Sequence, residues 1–133
     1  MKFILTIFAF TVFVKFSVAQ KKGDNTIIVH GFVNYNKIKE ALFDEGFVPI
    51  NSDTSFISTN KKSFGSIAEF SYIIKKTDTT LIFKGFLSGS IMGYTFNNLP
   101  VNNTSGNDKA GFDMMNKIAT SFRLPITYLR IKQ

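Results

Sequence analysis

The sequence has no cysteine, no tryptophan, one histidine (His30), three prolines and only nine acidic residues. Without cysteine there is no disulfide framework, no Cys-ligated zinc or iron–sulfur cluster, no thiol nucleophile and no lipid-modified cysteine behind an apolar leader. A lone imidazole excludes a multi-histidine metal site and leaves His30 as the single candidate for histidine base catalysis. No D-x-D-x-D-G calcium loop, no G-x-G-x-x-G and no Walker pattern is present. The sequence therefore implies no cofactor and no metal.

What is there begins with an apolar run. Met1 to Ala19 reads MKFILTIFAFTVFVKFSVA, in which only Thr6 and Thr11 interrupt Phe3 to Val14. A membrane-crossing helix needs roughly 20 apolar residues, a secretory core about 7 to 15. Length favours a signal peptide spanning residues 1–19. Ser17 and Ala19 stand where small residues precede an export cut, so cleavage is predicted between Ala19 and Gln20. The alternative is an uncleaved N-terminal membrane anchor, opposed by Lys15 and by Lys21-Lys22. Export through such a signal places the chain in the periplasm or outside the cell. The absence of disulfides suits a bacterial route.

The whole chain carries 16 basic residues and a net charge of +7 over 133 residues. Without residues 1–19 it keeps 14 basic against 9 acidic residues, net +5 over 114 residues. That is the size of one domain, with an ordinary apolar share and enough length to bury a core unaided.

Residues 20–25 read as a flexible polar leader and residues 26–133 as a single α+β domain. Ile27-Ile28-Val29 opens a β-branched strand. Asn34 then offers an N-cap for a helix over Tyr35 to Glu45, whose Tyr35, Ile38, Ala41 and Leu42 share one face; Gly46 suits its left-handed end, with Phe47 packing back. Asn51-Ser52-Asp53 signals a turn before a strand over Ser55 to Thr59. In Ser66 to Lys76 the residues Ala68, Phe70, Tyr72 and Ile74 alternate with a more polar set, and Leu81 to Leu87 returns as the hairpin partner. A short last strand is expected near Ile91 to Thr95, then a loop over Asn97 to Asn107. Asp108 is the expected cap of a second helix carrying Phe112, Met115, Ile118, Ala119 and Phe122, with Arg123 at its end, Pro125 as its stop and an extended Ile126 to Ile131.

The resulting fold class is α+β: a curved antiparallel sheet of four to six strands with two helices on one face, in the order β-α-β-β-β-β-α. This order resembles the TATA-binding-protein-like, or helix-grip-like, arrangement. The run TIIVHG, NYNKIKEALFDEGF, SFISTNKK and FDMMNKIATSFRLPITY is similar to small exported proteins of Bacteroidetes-type bacteria whose function is uncharacterised. The resemblance implies a fold and a compartment, and it brings no catalytic residues.

Candidate chemistry is sparse. His30 at a strand end would need a nucleophile and an orienting partner, and a strand-end histidine without catalytic duty is the plainer reading. Ser58-Thr59-Asn60-Lys61 matches S-x-x-K but lacks the companion S-D-N and K-T-G elements, which makes it a chance match. Asp44, Glu45 and Asp53 read as solvated charges. Gly85, Gly89 and Gly93 read as bends or bulges. The basic excess is the most usable feature: Lys61, Lys62, Lys75, Lys76 and Lys84 fall on or beside strands and form a candidate basic surface. Edge lysines that block strand-to-strand aggregation are the plain alternative. These residues favour a non-catalytic binding or envelope-associated module, partnered by an anionic envelope component or another exported protein. A small hydrolase-like enzyme using His30 or surface carboxylates, and a nucleic-acid-binding basic sheet, are the alternatives; export argues against nucleic acid.

Overall fold

The computed structural model describes residues 19–51, 53–65 and 68–132. Residues 1–18 of the expected export signal, Ser52 of the expected turn and the Ser66-Ile67 start of the expected strand lie outside these residues. Ala19 and Gln20, the expected cleavage pair, are exposed and outside any helix or strand.

The elements run β1 (Thr26–His30), α1 (Tyr35–Asp44), β2 (Phe56–Ser58), β3 (Lys62–Phe64), β4 (Ala68–Lys76), β5 (Thr80–Ile91), β6 (Tyr94–Pro100), α2 (Gly106–Thr120) and β7 (Ile126–Leu129). All strand pairs are antiparallel, and the fold is the expected α+β class with an open sheet. The sheet has seven strands rather than four to six, ordered β2-β4-β5-β1-β7, with β3 also on β4 and β6 also on β5. β3 was hidden from sequence reasoning because it is three residues long and largely exposed, whereas β7 falls within the expected extended segment Ile126 to Ile131.

Local chemistry sets α1. Asn34 accepts from the Lys37 amide at 2.9 Å, and the Phe47 amide closes on the Leu42 carbonyl at 2.9 Å behind a left-handed Gly46 (φ +82°). The polar segment ahead of β1 is bound in place: Asn103 and Asp24 exchange with the chain around them, the Gly23 amide donating to Asn103 O at 2.9 Å and the Asn103 amide to Asp24 O at 2.7 Å.

The β4–β5 hairpin forms in the expected region, from Ala68↔Gly89 to Lys76↔Leu81. Beyond it the expectation fails. Ile91 ends β5 instead of opening a strand, Met92-Gly93 is the turn, and residues assigned to a loop from Asn97 form most of β6. β6 is exposed on both faces over most of its length, so it carries none of the apolar alternation that marks a strand in sequence. A register shift between Leu87 and Gly89 marks a bulge, as expected at Gly89. The second helix starts at Gly106 behind Ser105, which makes no side-chain cap; Asp108 lies inside its first turn. That helix ends at Thr120, so Arg123 lies beyond it with φ +56° and Pro125 follows a loop.

Both helices cover one face. Ile27 and Val29 of β1, Phe70, Tyr72 and Ile74 of β4, Leu81 and Phe83 of β5 are buried there with Ile38 and Leu42 of α1 and Phe112, Met115 and Ile118 of α2. Each such large side chain contributes about 1.5–3 kcal/mol when taken from water. Tyr72 sits at the centre: its ring lies 4.8 Å from that of Phe47, and its hydroxyl donates to the Gly111 carbonyl at 2.9 Å. Burial, and then the Glu45 charge, push that hydroxyl far above the usual phenol range.

Val101, fully buried just after β6, is wedged between β5 and α2. A Cβ on Gly85 would come within 2.5 Å of Val101 Cγ2, and one on Gly111 within 2.8 Å of Val101 Cγ1. Two glycines thus make the slot that Val101 fills.

Candidate functional site: the uncovered sheet face

Because side chains alternate along a strand, the residues between the core positions point away from the helices. The pairing register lines them up across the sheet. One row runs Phe56, Lys75, Ile82, Ile28 and Thr127; the next runs Ser58, Ile73, Lys84, Thr26 and Leu129. Phe86, opposite Ser71, continues the apolar track along β5. Ile28, Ile73, Ile82 and Phe86 are only half-buried, and among the described residues no helix lies over them. A cleft of about 300 Å³ opens on this side, lined by Ile50, Lys61, Ile73, Phe86 and Asn98 among others.

Lys75 and Lys84 are diagonal neighbours on this face, since Lys75 faces Ile82 and Ile73 faces Lys84. Diagonal positions lie roughly 7–8 Å apart. Among the described residues neither lysine forms an ion pair, and Lys61 at the cleft does not either. Glu69 is the acid of the same face, at the far end of β4 opposite Ser63 and Ser88. Among the described residues the centre is thus apolar, cationic and without a neutralising carboxylate.

The five lysines singled out from sequence do not share one surface. Lys75 and Lys76 are consecutive on β4 and must point to opposite faces. Lys76 lies on the helix side with its Nζ 4.7 Å from the centre of the Phe32 ring. Lys62 also turns toward that side, donating to the Glu45 carbonyl with its Nζ 5.4 Å from the Phe47 ring centre. Those two ammonium groups are engaged by aromatic faces and a carbonyl. Lys61, Lys75 and Lys84 remain for the open side. Of the apolar members of the site, Ile28, Ile73 and Ile82 were missed in the sequence. Their signal was there as a β-branched residue on the supposedly polar parity of β1, β4 and β5, three neighbours in the sheet.

The remaining candidates are dispersed. His30 is exposed at the end of β1, its Nε2 2.8 Å from Thr127 Oγ1. Ser58 to Lys61 is extended chain with no helix behind Ser58. Asp53 binds the Ser55 amide and hydroxyl, both at 2.8 Å, and these bonds lower its pKa. Glu45 pairs with Lys117 at 3.0 Å, while Asp44 is exposed. Among the described residues no three His, Asp or Glu side chains gather in a way that could hold a metal ion. The larger cleft, about 540 Å³ between the ends of α1 and α2, mixes Lys37, Lys117 and Arg123 with Glu40, Asp44 and Glu45, so it offers no field of one sign. No family model, curated protein or solved structure matches the chain.

Proposed function

We propose that the protein is an exported, non-catalytic binding module that attaches to an anionic component of the cell envelope through its uncovered sheet face. The observation that carries this reading is the lysine pair, Lys75 and Lys84, held diagonally beside an apolar track of Ile28, Ile73, Ile82 and Phe86. Two like charges without a carboxylate repel each other, and an anionic group set between them removes that repulsion while an apolar moiety covers the isoleucines. Such a surface suits a molecule with an anionic head and an apolar portion. The apolar leader, the Ser17-x-Ala19 cut and the resemblance to small exported bacterial proteins support the envelope setting. Among the described residues no helix is long and apolar enough to cross a membrane.

The experiment is co-sedimentation of the chain from Gln20 onward with vesicles of equal parts phosphatidylcholine and phosphatidylglycerol. That chain contains the entire buried core, Ile27 to Ile126. Reversing both charges (Lys75→Glu with Lys84→Glu) weakens partition about thirtyfold or more, at ~1 kcal/mol for each cation near an anionic surface. Raising salt from 0.1 M to 1 M shortens the screening length from about 10 Å to about 3 Å and has the same direction. Salt-independent partition, or full partition by the reversed variant, overturns the reading. Mass spectrometry of the exported form should find Gln20 as the first residue; an intact Met1 would remove the cleavage.

A further inference from the structure

The hairpin joining β5 to β6 ends in a tip that no packing requirement explains. Ile91 pairs with Tyr94 across a two-residue turn, Met92-Gly93. Both turn residues have positive φ, +49° at Met92 and +82° at Gly93. That is the type I′ pattern, whose first position favours Asn, Asp or Gly, residues that enter the left-handed region at low cost. Here the position holds a long apolar side chain that is 95% exposed, flanked by Tyr94 at 81% and Ile91 at 45%. A strained backbone conformation occupied by a residue with nothing to pack against points to use of that side chain elsewhere.

The charge pattern says where. From Gly85 to Asn107 there is no charged residue at all, in a chain that is 19% charged, and the stretch contains the second half of β5, the tip and all of β6. The last charge before it is Lys84, one of the diagonal pair on the open face. An uncharged hairpin with methionine and isoleucine at its end, a tyrosine beside them and a cation at its root has the order of polarity of a bilayer surface. Apolar groups reach the acyl boundary, an amphipathic ring sits among the headgroups and the lysine stays with the phosphates. We infer that the Ile91–Tyr94 tip inserts into the interface of an anionic membrane. This deepens the proposed function and rests on it: the open face supplies the electrostatic attraction, and the tip supplies the anchor.

The test exploits the absence of tryptophan. In the chain from Gln20 onward, Met92→Trp places a single indole at the tip without touching the core. With vesicles of equal parts phosphatidylcholine and phosphatidylglycerol, its emission shifts to shorter wavelength and is quenched by brominated acyl chains. Met92→Asn separates anchoring from architecture, because Asn-Gly is the preferred type I′ pair. It raises resistance to urea while weakening partition about ten- to hundredfold, the scale of losing one buried methionine side chain. If the Met92→Trp variant co-sediments with vesicles but its emission stays unshifted, the tip does not insert and the inference falls while the open-face reading stands. Unchanged partition by Met92→Asn overturns it equally. If neither the parent chain nor any variant co-sediments, both proposals fail together.

Discussion

Filling either of the two glycine positions around Val101 should be destabilising, and trimming Val101 should repair part of the damage. In Gly85→Ala the new methyl would stand 2.5 Å from Val101 Cγ2 and 2.9 and 3.0 Å from ring carbons of Tyr72. Overpacking of this kind costs about 1–3 kcal/mol. In Gly111→Ala the contacts are 2.8 Å to Val101 Cγ1 and 2.8 Å to Phe70 Cε1. The position is inside α2, where alanine gains roughly 1 kcal/mol over glycine, so the net loss is smaller, about 0–2 kcal/mol. Val101→Ala removes two buried methyls at about 0.8 kcal/mol each and leaves a small cavity, for a loss of about 2 kcal/mol. In Gly85→Ala with Val101→Ala the methyl added at position 85 occupies space vacated by Cγ2, while its contact with Tyr72 persists. The double variant should therefore fall short of the summed single losses by about 1–2 kcal/mol. Urea titration measures this directly: at slopes of about 1–3 kcal/mol per molar, a 2 kcal/mol loss moves the midpoint by roughly 0.7–2 M. Additive losses for the Gly85–Val101 pair would show that Val101 does not fill the slot.

Two further outcomes follow from the same core and from the carboxylates. Tyr72→Phe keeps the ring contact with Phe47 but removes the hydroxyl that donates to Gly111 O at 2.9 Å, which should lower stability by about 0.5–1.5 kcal/mol in urea titration; an unchanged midpoint would mean that bond contributes nothing. Burial raises the Asp108 pKa above its ordinary 3.8, so the folded state is favoured while this carboxyl is protonated and that advantage is lost as pH climbs through the raised value. Asp108→Asn should accordingly gain on the parent chain at neutral pH and lose that gain below 3.8; a pH-independent difference would refute the assignment.

The parts of the fold that were legible in sequence are those fixed by neighbours in the chain. Asn34, Gly46 and Phe47 bracket α1 with hydrogen bonds spanning at most a turn and a half, so the helix could be bounded nearly to the residue. The aromatic face of β4 was legible because alternation alone carries it. β6 was not, since its strand character comes from pairing with β5 and not from burial of its own side chains. The cap of α2 was misread because Asp108 has the right chemistry for a cap, while the chain turns earlier at Ser105 and Gly106. The candidate surface was half legible. Lysines could be counted, and period two already separates Lys75 from Lys76. The alignment of Ile28 with Ile82 and of Ile73 with Lys84 depends on register between β1, β4 and β5, which no local pattern encodes.

The position of β1 has a consequence for the order of events after synthesis. It lies between β5 and β7, pairing Thr26 with both Lys84 and Leu129, so one edge of β1 waits for residues 126–129, far along the chain. Closing such distant partners is slow compared with forming helices or hairpins. A nascent chain can raise α1 and the β4–β5 hairpin early, yet it cannot seat β1 on both sides until residue 129 is available. Until those residues arrive, one edge of β1 keeps its amide and carbonyl groups unpaired, the state in which a strand can still be captured by another chain.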